Sequence, residues 1–297
     1  MADIKLFSLS GDVAELPSTS ITLEKELQEI IENNMDKFFG ITFLKSEFVI
    51  TNGRIDSLGL DENYSPVIFE YKRSTNENVI NQGLFYLDWL LDHKADYKLL
   101  VMEIMGTETA EKIDWNYPCV ICIASDFTKF DEHAVNQMQR NIKLVRYKKF
   151  GKDLILFEHL NAPNVKPLVE AVPNSVESVR NYKTFLQIYE SANKQIQNMY
   201  LSVKDYILSL GDDITENQLM YYVAFKKTRN IACVEIQKNR ILVHLAIDPK
   251  SIELQKSFTK DMTNTGHYGT GDLQVSITSM EDFEKAKLLF DRAYNEG

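Results

Sequence analysis

The chain has 297 residues, 44% of them hydrophobic and 26% charged, an ordinary globular composition with length for two domains. No apolar run approaches the roughly 18–20 residues that span a bilayer, and the first residues lack the basic flank and apolar core of a signal peptide. Three cysteines imply no disulfide framework and suit a reducing cytoplasm, and a net charge of −10 counts against a surface coated in DNA-binding charge.

Residues 1–20 read as a lead-in ending at Pro17-Ser18-Thr19-Ser20. Leu23, Leu27, Ile30, Ile31 and Met35 then recur at helical spacing. Phe43 to Ile50 suits a strand, and Thr51-Asn52-Gly53 is a hairpin signal because Asn-Gly tolerates positive φ. A strand carrying Asp56 follows, then a polar turn at Glu62-Asn63-Tyr64-Ser65, then a strand carrying Glu70. A helix is expected from Glu77 to His93 and a strand from Tyr97 to Ile104. Cys119–Ala124 has the length of a buried strand, Asp131–Arg140 reads as helix, and strands are expected at Ile142–Lys148 and Leu154–His159.

Residues 161–181 hold the breakers Pro163, Pro167 and Pro173-Asn174-Ser175 and read as a linker. Tyr182–Leu210 reads as one long amphipathic helical stretch, followed by strands at Ala232–Gln237, Ile241–Ile247 and Leu273–Ile277 and a helix from Met280 to Tyr294. A Gly-rich loop, Gly266-His267-Tyr268-Gly269-Thr270-Gly271, precedes the last strand. The expected organisation is a first domain over 1–160, a linker over 161–181 and a smaller α/β domain over 182–297.

The chemistry is concentrated in Gly53-Arg54-Ile55-Asp56 and Phe69-Glu70-Tyr71-Lys72. Residues two apart on a strand share a face, so Glu70 and Lys72 point the same way. If Leu60 pairs with Pro66, Asp56 falls opposite Glu70 on that face, and a one-residue slip would turn it away. Charge inside Val-Ile-Phe-Glu-Tyr is costly unless it is used. Two carboxylates supply hard oxygen ligands for Mg2+ or Mn2+, the Tyr71 carbonyl would complete the shell, and Lys72 would neutralise charge developing on a phosphodiester.

Three further elements support that site. Gln82 and Tyr86 share a helix face at i, i+4, and Gly83 between them lets the helix approach a sheet closely. Glu24 or Glu26 on the first helix could add a carboxylate, with Glu24 preferred. Arg54 stands two residues before Asp56. Arg73 and a cluster with Lys143, Arg146, Lys148 and Lys149 are the candidate contacts to a nucleic-acid backbone, although ordinary surface lysines would look the same.

With these residues the chain resembles the PD-(D/E)XK nuclease superfamily, most closely its RecB-like and archaeal mismatch-endonuclease (NucS-type) branches. The matching positions are Glu24, Gly53 to Asp56, Glu70 to Lys72, and Gln82 with Tyr86, in order over roughly residues 20–150. The resemblance implies an α/β (α+β) restriction-endonuclease-like core, a central mixed sheet flanked by helices, and Mg2+-dependent hydrolysis of nucleic acid, DNA rather than RNA. Ile55 stands where the family's name residue would be Pro. Residues 180–297 resemble a small α/β domain of proteins labelled predicted transport proteins, through Tyr221–Lys226 and Gly266–Gly269. A homodimer would suit the cutting of two strands. The competing reading is a noncatalytic nucleic-acid-binding or regulatory protein that retains the nuclease fold. Cys119-Val120-Ile121-Cys122 is declined as a zinc site, because no second pair exists and strand residues three apart face opposite sides.

Overall fold

The computed structural model of the chain describes residues 4–19, 21, 23–72, 79–161 and 183–296. Contacts divide it into two units, residues 1–168 and 169–297. Apart from residue 161, the expected linker, 161–181, lies outside the described residues.

The first unit begins with β1 (Leu6–Ser8) and β2 (Ala14–Leu16), a short antiparallel pair, and β3 (Ser18–Thr19). Next come α1 (Glu24–Glu32) and α2 (Met35–Phe39), which closes on Gly40 in the left-handed conformation, φ 64°. An antiparallel meander follows: β4 (Ile41–Ile50), β5 (Gly53–Asp61) and β6 (Pro66–Lys72). Then come α3 (Val79–Asp92), α4 (Lys94–Met105), α5 (Thr107–Glu111), β7 (Cys119–Ala124), α6 (Lys129–Gln137), β8 (Asn141–Phe150) and β9 (Leu154–His159).

Seven strands form one mixed sheet in the order β3-β8-β7-β6-β5-β4, with β9 also on β8. β6, β7 and β8 are parallel, so β6 sits where the antiparallel meander meets the parallel half. Leu27 and Ile31 of α1 and Met35 and Phe39 of α2 pack on one face against Val67, Phe69, Ile121 and Val145. Leu87 and Leu90 of α3 and Tyr97 and Val101 of α4 cover the other face against Leu58, Ile68, Val120 and Leu144. The fold is thus a central mixed sheet flanked by helices, as expected.

Two local expectations change. Tyr97–Ile104 is helix α4, not a strand. Its buried residues, Tyr97 and Val101, are four apart, and a short apolar run does not by itself distinguish strand from helix. At the first hairpin Ile50 pairs with Gly53, so the turn residues are Thr51 and Asn52. Gly53 has no positive φ. What its missing side chain permits is contact: a Cβ there would lie 2.9 Å from the Tyr86 ring.

The second unit contains α7 (Phe185–Ser191), α8 (Lys194–Ser209), β10 (Thr215–Gln218), β11 (Val223–Lys226), β12 (Asn230–Gln237), β13 (Arg240–Leu245), β14 (Thr259–Asp261), β15 (Leu273–Ile277) and α9 (Met280–Glu296). The expected continuous helix from 182 to 210 is two helices. Ala192 is extended, and the Asn193 side chain accepts the Ile196 N–H at 2.9 Å, restarting the helix. The antiparallel sheet has the order β10-β11-β12-β13-β15-β14. One of its faces packs Val223, Val234, Val243 and Val275 against Val203 of α8 and Phe290 of α9. This is the smaller α/β domain.

Candidate active site

The β5–β6 turn fixes the register of the charged hairpin. Asp61 Oδ1 accepts the N–H groups of Asn63 and Ser65, both at 2.8 Å, and Tyr64 takes a left-handed φ of 62°. Leu60 therefore pairs with Pro66 and Ser57 with Phe69, and continuing that register sets Asp56 opposite Glu70. The register condition for the site is met.

At that point side chains take over from strand pairing. The Asp56 N–H donates to Glu70 Oε1 at 3.4 Å, and the Tyr71 N–H donates to Asp56 Oδ2 at 3.0 Å. Glu70 is fully buried, and its second oxygen, Oε2, has no hydrogen-bond partner. Burial, then the Asp56 charge, push the Glu70 carboxyl up to about 9, against the opposing Asp56 N–H and Lys72. Burial also raises Asp56; the Tyr71 N–H and Lys72 oppose this, and Glu47 and Glu24 add to it. The neighbouring Cys122, paired with Glu70 across β6–β7, has its thiol pushed well up by burial and by Glu70. Among the described residues, Lys72 is the one lysine acting on the buried Glu70 and the half-buried Asp56, which leaves the site short of positive charge.

The donor set fits a hard divalent cation: two carboxylates, one with an orphaned buried oxygen. Among the described residues no three His, Cys, Asp or Glu side chains are gathered for a metal. A cation here would complete its shell with a backbone carbonyl and water, as Mg2+ commonly does.

The supporting residues converge on the start of β5. Gln82 Nε2 donates to Tyr86 Oη at 3.0 Å, and the Arg54 N–H donates to the same oxygen at 3.4 Å. Gly83 allows this approach, since a Cβ there would sit 2.6 Å from Val120 Cγ1 on β7. The Arg54 side chain forms an ion pair with Glu47. On α1, Glu24 acts electrostatically on Asp56, whereas Glu26 pairs with Lys149 at 3.2 Å. Of the two, Glu24 is the one whose charge acts on Asp56.

The basic residues do not form one patch. Strand alternation sends Arg146 and Lys148 to one face of β8 and Lys143 and Lys149 to the other. Arg146 is 5% exposed and held by Asp126 at 2.8 Å and Glu158 at 2.7 Å. Its guanidinium ties β8 to β9 and to the loop after β7. Arg73 lies outside the described residues.

Sequence reasoning missed four groups. Glu47 stands opposite Asp56, because the ladder runs from Ser46↔Ser57 to Phe48↔Ile55, and it adopts a left-handed φ of 53°. Counting back from the Thr51-Asn52 turn would have found it. Gln28 and Glu32 follow Glu24 at four-residue intervals on one face of α1. Ser57, next to Asp56, donates to Glu32 Oε1 at 2.6 Å and receives the Tyr71 hydroxyl at 3.1 Å.

Over 302 aligned residues the chain is 32% identical to an uncharacterised protein of Haemophilus influenzae, covering 99% of this chain and all of that one. The chain belongs to that protein's family. Residues 186–295 of this chain match a domain of unknown function, DUF5655. Among solved structures, a repair endonuclease from Pyrococcus abyssi aligns at 19% identity and a TM-score of 0.29, over 43% of this chain and 49% of that one. EndoMS in complex with dsDNA aligns at 20% identity and a TM-score of 0.26, over 43% and 47%. The family member described here therefore spans about half the length of those solved chains. Among its described residues no helix is long and apolar enough to cross a membrane.

Proposed function

We propose that this protein hydrolyses phosphodiester bonds of nucleic acid, DNA in preference to RNA, at Asp56, Glu70 and Lys72. The observation that carries the reading is the buried Glu70 beside the half-buried Asp56, with Glu70 Oε2 unpartnered. Unpartnered carboxylates of raised pKa are expensive in a core and are characteristic of functional sites. Asp56, Glu70 and the Tyr71 carbonyl would hold a Mg2+ or Mn2+ ion, which would supply positive charge at the scissile phosphate and lower the pKa of the attacking water.

The remaining work belongs to the chain. Lys72, which already acts on both carboxylates, neutralises charge building on the phosphate oxygens. Glu24 orients water from the α1 side. Gln82 and Tyr86 hold the backbone of Arg54, which sets the path of β5 into Asp56. Lys143, Lys148 and Lys149, the last already paired with Glu26, would make backbone contacts of modest strength. The test is cleavage of single-stranded, duplex and branched DNA and of RNA with Mg2+ or Mn2+. The expected result is cleavage by the native protein and none by Asp56→Ala or Glu70→Ala. Equal activity in both variants would remove the site assignment.

A second reading, a noncatalytic nucleic-acid-binding protein on the same fold, draws on the division of the basic cluster between two sheet faces. Binding of DNA without cleavage or Mn2+ uptake would favour it.

A further inference from the structure

Asp56 lies in a gap in its own sheet. Toward β4, the facing residue is Glu47, in a left-handed conformation that a strand residue rarely adopts. Toward β6, strand pairing stops at Ser57↔Phe69. A residue meant to hold a cation needs a fixed carboxylate, and here the strand ladder does not provide the fixing.

Helix α1 does. Gln28 is 7% exposed, and its Nε2 lies 2.9 Å from the Asp56 carbonyl oxygen, 2.9 Å from Glu32 Oε1 and 3.0 Å from Ser46 Oγ. An amide nitrogen has two protons, so one serves Asp56 and the other is shared between Glu32 and Ser46. Glu32 Oε1 also accepts from Ser57 Oγ at 2.6 Å, and Ser57 Oγ accepts from Tyr71 Oη at 3.1 Å. The Tyr71 N–H returns to Asp56 Oδ2 at 3.0 Å. The contacts close a ring: Asp56 carbonyl, Gln28, Glu32, Ser57, Tyr71, Asp56 carboxylate. Burial holds the Tyr71 hydroxyl well above its ordinary pKa, so it stays a donor.

We infer that Gln28 and Glu32 are positioning residues that orient the Asp56 carboxylate for the divalent cation, an inference that rests on the nuclease reading above. Neither touches the cation or the phosphate. They hold the main chain of Asp56 from one side while the Tyr71 N–H holds its side chain from the other. Supporting partners behind a metal ligand are commonly worth roughly 10–100-fold in metal affinity.

The experiment uses the full chain and three readouts: Mn2+ binding by electron paramagnetic resonance, hydrogen exchange at the Tyr71 amide without metal, and melting followed by tryptophan fluorescence. Gln28→Met fills the volume but removes the donors. The expected result is Mn2+ affinity roughly 10–100-fold weaker, with faster Tyr71 exchange. Glu32→Leu removes the acceptor shared by Gln28 and Ser57 and is expected to weaken Mn2+ affinity in the same direction, whereas Glu26→Gln on another face of α1 is expected to bind Mn2+ like the native chain. Ser57→Ala cuts the ring between Glu32 and Tyr71 and gives the same reading if Gln28→Met does not fold. Native-like Mn2+ affinity and Tyr71 exchange in both Gln28→Met and Ser57→Ala would overturn the inference. A native protein that takes up no Mn2+ would instead defeat the nuclease reading, and Tyr71 exchange would still judge the ring.

Discussion

The amide of Asp56 donates to the side chain of Glu70 at 3.4 Å, in the stretch of β5 where pairing with β6 has ended. The carboxylate thus serves the fold with one oxygen and leaves the other buried and unpartnered. Glu70→Gln places two N–H donors beside Asp56 and removes a desolvated acid. The expected outcome is a metal-free protein more stable by about 1–3 kcal/mol, with Mn2+ uptake and cleavage lost. Fluorescence melting reports on this unit alone, since Trp89 and Trp115 are the chain's two tryptophans.

Arg146 is a structural residue whatever its effect on nucleic acid. Removing a guanidinium from between Asp126 and Glu158 leaves two carboxylates facing one another. Because Asp126 and Glu158 are 32% and 30% exposed, Arg146→Ala is expected to cost about 1–3 kcal/mol. Lys148→Ala should stay within about 0.5 kcal/mol, the usual range for surface substitutions. Chemical denaturation of the two variants separates folding from any change in DNA affinity.

Gly83 sets the distance between α3 and the sheet. Gly83→Ala would gain about 1 kcal/mol of helix propensity. Its Cβ, however, would meet Val120 Cγ1 at 2.6 Å in a packed core, and overpacking costs about 1–3 kcal/mol. Net destabilisation and reduced cleavage are expected, because Tyr86 would no longer reach the Arg54 amide. The double variant Gly83→Ala, Val120→Ala should recover part of the activity; a double variant no better than the single one would count against this account.

The second unit should carry an acid-sensitive step. His244 is 1% exposed, with both ring nitrogens lacking hydrogen bonds, and its ring stacks on His267 with centroids 4.1 Å apart. Glu235 Oε1 lies 3.5 Å from Nδ1, and Cys233 faces it across β12–β13. Burial, then His267, lower the His244 pKa to about 4. An unfolded histidine binds its proton near pH 6.5, so between about pH 6.5 and 4 the unfolded state holds the extra proton. Stability therefore falls as pH falls through that window, by at most about 1.4 kcal/mol per unit. Glu235, raised by burial, slopes the other way above the ordinary glutamate range, so the difference between native protein and His244→Phe isolates the histidine. Hydrogen exchange of β12 and β13 between pH 7 and 5 measures it, and equal slopes in both proteins would refute it.

Much of the site could be read along the chain because its residues are close in sequence. Leu60↔Pro66 follows from a short polar turn, and that one pairing places Asp56 against Glu70. The Gln82–Tyr86 pair follows from helical period alone. Tyr97–Ile104 is not legible from sequence alone, because Leu, Val and Met suit either a strand or a helix buried on one side. The long helix proposed from 182 to 210 failed at Asn193, a capping residue whose role depends on the extended residue before it.

By itself, the sequence determined the charged hairpin, its register and the helix that braces it, because turn chemistry and strand alternation act over a few residues. Tertiary structure decided which charges remain available. It paired Glu26 with Lys149, buried Arg146 by pairing strands twelve residues apart, and brought Gln28 to the Asp56 carbonyl across 28 positions. Hydrogen bonds and desolvation depend on distance in space, and that distance is set only when the sheet and α1 pack together.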